Sequence, residues 1–295
     1  MVLRSLALGA GFVVLGTAPA AAQRDFSQVE IKREEIRGGI HMLTGAGGNM
    51  GLSVGEDGAY LIDDQYAPLS ARILATIEGI TREPLRFVVN THFHGDHTGG
   101  NENLGETGAL IVAHENVRER LARGRDTPGR EIPPAPKIAL PVVTFAEGVS
   151  FHWNNQEIRV FAVGQGAHTD GDSIIHFVDA DVFHMGDTYF AGSFPYIDVP
   201  SGGDVDGVIA AADRVLAVAT PETRIIPGHG PLCTKAELQA YRDMLATVRD
   251  RVAALKKEGK SHQEVVAAKP TADLDERWGS RNPDDFVGYV YETVD

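Results

Sequence analysis

The chain has 295 residues, 43% of them hydrophobic, with a formal net charge of -14. That acidity argues against a nucleic-acid partner, since phosphate backbones are held by clustered Lys and Arg. A single cysteine, Cys233, excludes an intramolecular disulfide and any cysteine-rich zinc module, so a metal here must be held by His and carboxylate.

Residues 1–22 read as a secretory signal peptide: Met1-Val2-Leu3-Arg4, an apolar run to Leu15, then Ala20-Ala21-Ala22 before the cut. The run from Leu6 to Leu15 falls short of the about 20 residues a bilayer needs. The expectation is a periplasmic or secreted protein with no membrane association once the signal is cleaved. The mature chain suits one layered α/β domain over 23–260, with 261–295 as a C-terminal extension packed on it or trailing.

Short strands are expected at Val29–Lys32, Ile40–Leu43, Gly51–Val54 and Ala59–Ile62, with Glu56-Asp57-Gly58 as a hairpin turn. A helix runs from Pro68 to Glu78: Pro68 suits a first turn, Leu69, Ile73 and Ile77 recur every four residues, and Gly79 stops it. Four further apolar runs share one design. Leu85–Val89 leads to His92, Ile158–Val163 to His168, Val182–Met185 to Asp187, and Arg224–Ile226 to His229. Each run stops at a glycine-rich or polar turn with a metal-competent side chain just beyond it, which is where layered α/β proteins carry their sites.

The prolines between Gly124 and Pro141 preclude regular structure, and this long loop is a candidate border of the site. A helix is expected over Asp204–Val218. Thr234-Lys235-Ala236-Glu237 forms a capping box that opens another helix, with a core stripe of Leu238, Tyr241, Leu245, Val248, Val252 and Leu255.

Asn90-Thr91-His92-Phe93-His94-Gly95-Asp96-His97-Thr98-Gly99-Gly100 carries the densest chemistry. On an extended segment His92 and His94 point the same way and can grip one ion. Gly95 allows a sharp turn, after which Asp96 and His97 can grip a second. His41, His114, His152, His176, His184 and His262 lie in strands, helices or the tail and read as packed or surface side chains, with His114, just past Ala109–Val112, the nearest to an exception.

The ordered set His92-x-His94-x-Asp96-His97, His168, Asp187 and His229, with Tyr60-Leu61-Ile62-Asp63 upstream, resembles the metallo-β-lactamase superfamily over about residues 30–260. The resemblance implies a four-layer αββα sandwich and a two-metal site. His92, His94 and His168 would hold one ion, Asp96, His97 and His229 the other; Asp187 would bridge them, and Asp63 would orient a ligand imidazole. Zinc suits this all-N/O donor set, and iron or manganese fit it also.

Such a site implies hydrolysis by a metal-bridging hydroxide, with Asp96 orienting the nucleophile and a small-molecule substrate. Export and the all-His/Asp ligands favour β-lactam hydrolysis. Two departures point elsewhere: the cysteine-using class has its cysteine where Asp187 stands and a substrate-binding lysine where Phe190 stands. The glyoxalase-type thioesterases and lactonases share Asp187, but Gly230-Pro231-Leu232 replaces their usual continuation after the last histidine. A mononuclear-iron persulfide dioxygenase-like oxidoreductase and a non-catalytic periplasmic metal-binding accessory protein are the other readings. Phe194 and Tyr196 are candidate substrate-loop residues, alongside the Gly45–Gly51 turn.

Overall fold

The computed structural model describes residues 25–127, 130–164 and 166–295; the expected signal peptide lies outside the described residues. β1 (Lys32–Arg37), β2 (Ile40–Thr44), β3 (Met50–Ser53) and β4 (Ala59–Ile62) pair antiparallel in turn, and β5 (Leu85–Val89) and β6 (Leu110–His114) continue parallel to β4. A separate ribbon, β7 (Arg125–Thr127) with β8 (Arg130–Ile132), precedes β9 (Val143–Phe145), which closes this first sheet beside β6. The second sheet holds β10 (Gly148–Trp153), β11 (Gln156–Ala162), β12 (Ser173–Phe177), β13 (Val182–His184), β14 (Arg224–Ile226) and β15 (Cys233–Thr234), in that order, with β13 and β14 parallel. The helices are α1 (Ser70–Glu78), α2 (Gly95–Thr98), α3 (Asn101–Gly105), α4 (Glu115–Arg123), α5 (Val205–Leu216), α6 (Lys235–Lys257), α7 (His262–Ala267), α8 (Asp275–Trp278) and α9 (Pro283–Thr293).

Strand alternation sorts the core into layers. In β4, Tyr60 and Ile62 face a core shared with the second sheet, whereas Ala59 and Leu61 face Leu69, Ile73 and Ile77 of the α1 region. In the second sheet Ile175, Val182 and Ile226 meet Tyr60 and Val89 across the inter-sheet core. Their neighbours Ile174, Phe183 and Ile225 turn outward to Val208, Ala212, Leu245 and Val248 of α5 and α6. The result is helices, sheet, sheet, helices: the αββα sandwich that the resemblance implies.

The Thr234–Glu237 capping box opens α6, whose Leu238, Tyr241, Leu245, Val248 and Val252 are buried while Leu255 is partly so. Val265, Trp278, Phe286, Val287, Val290 and Val294 of the 261–295 segment belong to the same core.

Two expectations need correction. The strand expected at Val29–Lys32 begins only at Lys32, because Val29 packs among Phe26 and Ile31 at the α1 edge and its carbonyl accepts from Arg72 at 2.7 Å. The Gly124–Pro141 stretch is not devoid of regular structure: β7 and β8 pair within it, between Gly124 and the prolines at 133 and 134. Proline bars a ladder only where it removes a needed N–H, and these prolines flank the ribbon.

Candidate metal centre

The parallel strands of both sheets end at one edge of the sandwich. From the first sheet, β4 runs into Asp63 and β5 into His92, with α2 carrying Asp96 and His97. From the second, β13 runs into Asp187 and β14 into His229, while His168 lies just before β12. Backbone bonds lock the two edges together: Ser173 N donates to Thr91 O at 2.8 Å and Asn49 N to Gly228 O at 2.7 Å.

All seven expected donors meet there, in two groups: His92, His94, His168 and Asp187, then Asp96, His97 and His229. His94 Nδ1 is 3.1 Å from His92 Nε2 and 2.8 Å from His168 Nε2. Asp187 stands between the groups, with Oδ1 3.1 Å from His97 Nε2 and Oδ2 3.5 Å from His168 Nε2 and 3.4 Å from His229 Nε2. Asp96 Oδ2 lies 3.4 Å from His229 Nε2. The cluster opens to solvent along one side, where Asp96 and His229 are 26% and 27% exposed and the other donors 12% or less. His41, His114, His152, His176, His184 and His262 belong to neither group.

The far nitrogens decide what faces inward. His97 Nδ1 reaches Asp63 Oδ2 at 2.7 Å, His94 Nε2 reaches Asp198 Oδ2 at 2.8 Å, and His168 Nδ1 reaches the Tyr196 carbonyl at 2.9 Å. These partners only accept, so each of those nitrogens carries the hydrogen. Thr91 Oγ1 donates to Asp63 Oδ2 at 2.8 Å, which leaves it to accept from His92 Nδ1 at 3.0 Å. With those hydrogens so placed, the neutral rings of His92, His94, His97 and His168 turn their remaining lone pairs toward the cluster. Buried His97 Nε2 and Asp187 Oδ1 make no hydrogen bond. An array of lone pairs and carboxylate oxygens needs cationic charge at its centre, which divalent metal ions can supply.

The electrostatics agree. Burial holds His92 below its ordinary value and His168 down to about 4, so both present neutral, ligating imidazoles. At His97 and His229 burial works the other way from the Asp187 carboxylate, and the carboxylates win: His97 rises well above its ordinary value, with Asp63 adding to the effect, and His229 rises to about 9. Burial would raise Asp96, but its contact with His229 and the charge on His97 bring it down to about 2. Without metal, protons on His97 and His229 neutralise the carboxylates; a bound cation replaces them.

Glycines admit this crowding. A Cβ on Gly48 would lie 2.1 Å from His97 Cε1, and one on Gly228 would lie 2.1 Å from Asp187 Oδ1. Gly95 is different from expectation: it opens α2 outside the positive-φ region, and a Cβ there would meet nothing within 4 Å. The corner is made by a helical turn, in which His97 N and Thr98 N both donate to the His94 carbonyl.

Phe194 must be withdrawn as a substrate-loop residue. It is fully buried and stacks on Phe286 at 4.9 Å, because α9 covers that loop. Tyr196 stays at the site, its ring 6.1 Å from His94 and 5.6 Å from His168. From the proline-containing loop, Ile132, Pro133 and Ala135 join Phe93, Gly95 and Leu121 around a cavity of about 360 Å³ beside the donor-bearing turn.

Sequence reasoning missed Asp198, which holds His94, and Asp172, which accepts from the His168 and Thr169 amides at 2.7 Å. It also missed Asp64, whose Oδ1 accepts from Gly100 N at 2.8 Å. Asp64 had a signal, standing next to Asp63 at the end of β4; the others lie in irregular segments with no periodicity to mark them.

Two facing sheets with a His/Asp donor cluster at their shared edge define an αββα sandwich whose edge could hold metal. The family model of the metallo-beta-lactamase superfamily matches residues 43–229, more than half of the chain, and the chain belongs to that superfamily. It is 30% identical over 147 residues to a hydroxyacylglutathione hydrolase of Nitrosococcus oceani, covering 48% of this chain and 47% of that protein. It is 27% identical over 163 residues to the 2,4-dinitroanisole O-demethylase subunit alpha of a Nocardioides species, covering 54% and 46%. The chain thus spans about half the length of these relatives. Among solved structures, a metallo-beta-lactamase from Pontibacter korlensis superposes with a TM-score of 0.61 at 20% identity, over 74% of this chain and 99% of that one. An inverting sec-alkylsulfatase from a Pseudomonas species gives 0.69 at 19% identity, over 89% and 50%. At such identities the likeness is one of fold.

Proposed function

We propose that this chain is a hydrolase carrying two divalent ions, zinc by preference of its donors, with His92, His94 and His168 on one ion, Asp96, His97 and His229 on the other, and Asp187 between them. The observation that carries this reading is the convergence of tautomer-fixed lone pairs from His92, His94, His97 and His168 around Asp187. A pair of such ions polarises a carbonyl or phosphoryl oxygen and makes hydroxide available at neutral pH.

The protein's own residues prepare that chemistry. Asp63, Thr91, Asp198 and the Tyr196 carbonyl fix the ligand rings from behind. Asp96, brought down to about 2, is a carboxylate at every working pH; it accepts a hydrogen bond from the attacking water at the open side and orients it. No serine or cysteine nucleophile is required: Cys233 is buried, and burial raises its thiol to about 11.

The substrate reading is a β-lactam, on the exported pattern of residues 1–22 and the all-His/Asp ligand set, with action outside the inner membrane. A thioester is the second reading, favoured by the hydroxyacylglutathione hydrolases among the relatives. The test is metal content of the purified protein, then turnover of a penicillin, a carbapenem, an acyl lactone and a thioester with and without chelator. Two zinc ions and chelator-sensitive turnover are expected, lost in Asp96→Ala. One iron per chain, or unchanged hydrolysis in that variant, would overturn the reading.

A further inference from the structure

We infer that Arg120, on α4, is a positioning residue for the His92, His94 and His168 group: its guanidinium ties together the three separate segments that present and orient those rings. This rests on the two-ion reading above.

The three rings come from two stretches far apart in the chain, and a third stretch steadies one of them. His92 and His94 flank Phe93, His168 starts the turn that leads into β12, and Asp198, bonded to His94 Nε2 at 2.8 Å, starts the turn that holds Ser201. Arg120 touches each stretch. Its Nε and Nη2 donate to Asp170 Oδ1 and Oδ2, both at 2.7 Å, and Nη2 also donates to the Ser201 carbonyl at 3.0 Å. Its guanidinium carbon lies 4.9 Å from the centre of the Phe93 ring, which is itself 4.6 Å from the His94 ring. Phe93 packs with Ala113, Val117 and Leu121, so the arginine grips the histidine-bearing segment from the α4 side while the imidazoles face the cluster.

The helix that carries Arg120 is a firm base for this. His114 Nδ1 caps it by accepting from Asn116 N at 3.1 Å, and Val117 is fully buried. Asn116 Nδ2 donates to the Asp170 carbonyl at 2.8 Å, so α4 holds both the main chain and the side chain of Asp170. A Cβ on Gly171 would lie 3.2 Å from Val117 Cγ2, which shows how closely the His168 turn lies against the helix. Beyond these ties the two turns meet through single backbone bonds, Asp170 N to Ser201 O and Asp198 N to His168 O, each at 3.0 Å. A planar fork with its donors in one plane serves a carboxylate, a carbonyl and a ring face together, which an ammonium does not. The Arg120 and Asp170 side chains are 29% and 35% exposed, so the value of the pair lies in the geometry it fixes more than in ion-pair energy. Asp96, His97 and His229 are held from elsewhere. Gly48 N donates to the Asp96 carbonyl at 3.1 Å, Asp63 holds His97, and Asn49 Nδ2 donates to the Pro227 and Gly230 carbonyls on either side of His229, both at 2.9 Å. Loss of Arg120 is therefore felt in one group and not in the other.

Cobalt(II) titration of the full chain, followed by visible absorbance, tests this in two backgrounds. Asp96→Ala keeps the His92, His94 and His168 group whole, and His168→Ala keeps the Asp96, His97 and His229 group whole. Adding Arg120→Ala should weaken cobalt binding about 10- to 100-fold in the first background, as loss of a group that orients a ligand does, and leave it within about twofold in the second. Arg120→Lys should recover part of the loss. An equal loss in both backgrounds would make Arg120 a general stabiliser, and no loss in the first would leave it without a role; either overturns the inference. A second measurement needs no metal. In the metal-free chain Arg120→Ala should speed amide hydrogen exchange at Asp170 and Ser201 about tenfold while His97 and Thr98 exchange as before. That response with no cobalt bound in either background would sink the two-ion reading and leave the positioning role standing, whereas cobalt binding with unchanged exchange would remove this inference alone.

Discussion

On the proposed two-ion reading, Gly48→Ala should eject the ion at His97 while leaving the fold in place. The new methyl would stand 2.1 Å from Cε1, 2.4 Å from Nε2 and 2.7 Å from Nδ1 of His97, where ordinary contact needs about 3.5 Å or more. Neither partner can retreat freely. Gly48 is held by its N–H to the Asp96 carbonyl at 3.1 Å and by its carbonyl to Gln65 Nε2 at 2.6 Å. His97 is fully buried and tied to Asp63 at 2.7 Å. Gly48 is not a positive-φ glycine, so the effect is steric and not one of backbone strain. Relief requires the ring to move by about 1 Å, against a tolerance of about 0.2 Å for a metal ligand. Overpacking of this kind costs about 1–3 kcal/mol, or about 2–4 °C in Tm per kcal/mol for a domain of this size. Metal analysis should fall from two ions to one and the melt should shift accordingly. Gly95→Ala, with open space at its Cβ, is the control and should change neither. A Gly48→Ala protein with two ions and an unshifted melt would show that the crowding around His97 is not what sets this site.

Asp63→Ala strips the acceptor from Thr91 N, Thr91 Oγ1 and His97 Nδ1, bonded at 2.7, 2.8 and 2.7 Å. Buried donors left unpaired cost about 1–3 kcal/mol each, so the variant should melt well below the parent and bind less than two ions; full metal content at the parental Tm would contradict the orienting role. His176 gives a pH dependence away from the metal. Burial lowers it from 6.5 to about 4 while it stacks on Phe183 at 3.8 Å. The unfolded chain takes up this proton as pH falls below 6.5 and the folded protein resists until about 4, so stability is present above that window and is lost as pH falls through it. With allowance for solvent screening of a partly exposed ring, the loss is about 1–2 kcal/mol. His176→Leu should flatten the fall in Tm between pH 7 and pH 4.5, and parallel curves for the two proteins would refute it.

The donors were legible because each follows a strand, and strand periodicity is the strongest signal a sequence carries. What held the donors was less so. The Tyr196 carbonyl orients His168, and a main-chain acceptor leaves no mark in residue identity. Asp198 meets His94 across 104 positions, a pairing set by tertiary folding alone. Phe194 looked like a loop aromatic because its partner, Phe286, lies 92 residues on. The C-terminal segment held a readable clue in Ser261 and Glu264, a capping box that opens α7, but short helices bury too few residues to show a stripe. Gly95 misled for a simpler reason: a glycine between ligands suggests a tight turn, and here the turn is helical.

The donors at the sandwich edge come from both sheets, and this gives the centre a mechanical role. An ion held jointly by His97 and His229 would staple together points about 130 residues apart, a closure that the chain-entropy model values at about 5 kcal/mol. With its lone cysteine buried and free, the chain has no disulfide to do the same. Chelation should therefore loosen the whole sandwich, so that proteolytic cutting between the two sheets becomes a gauge of metal occupancy.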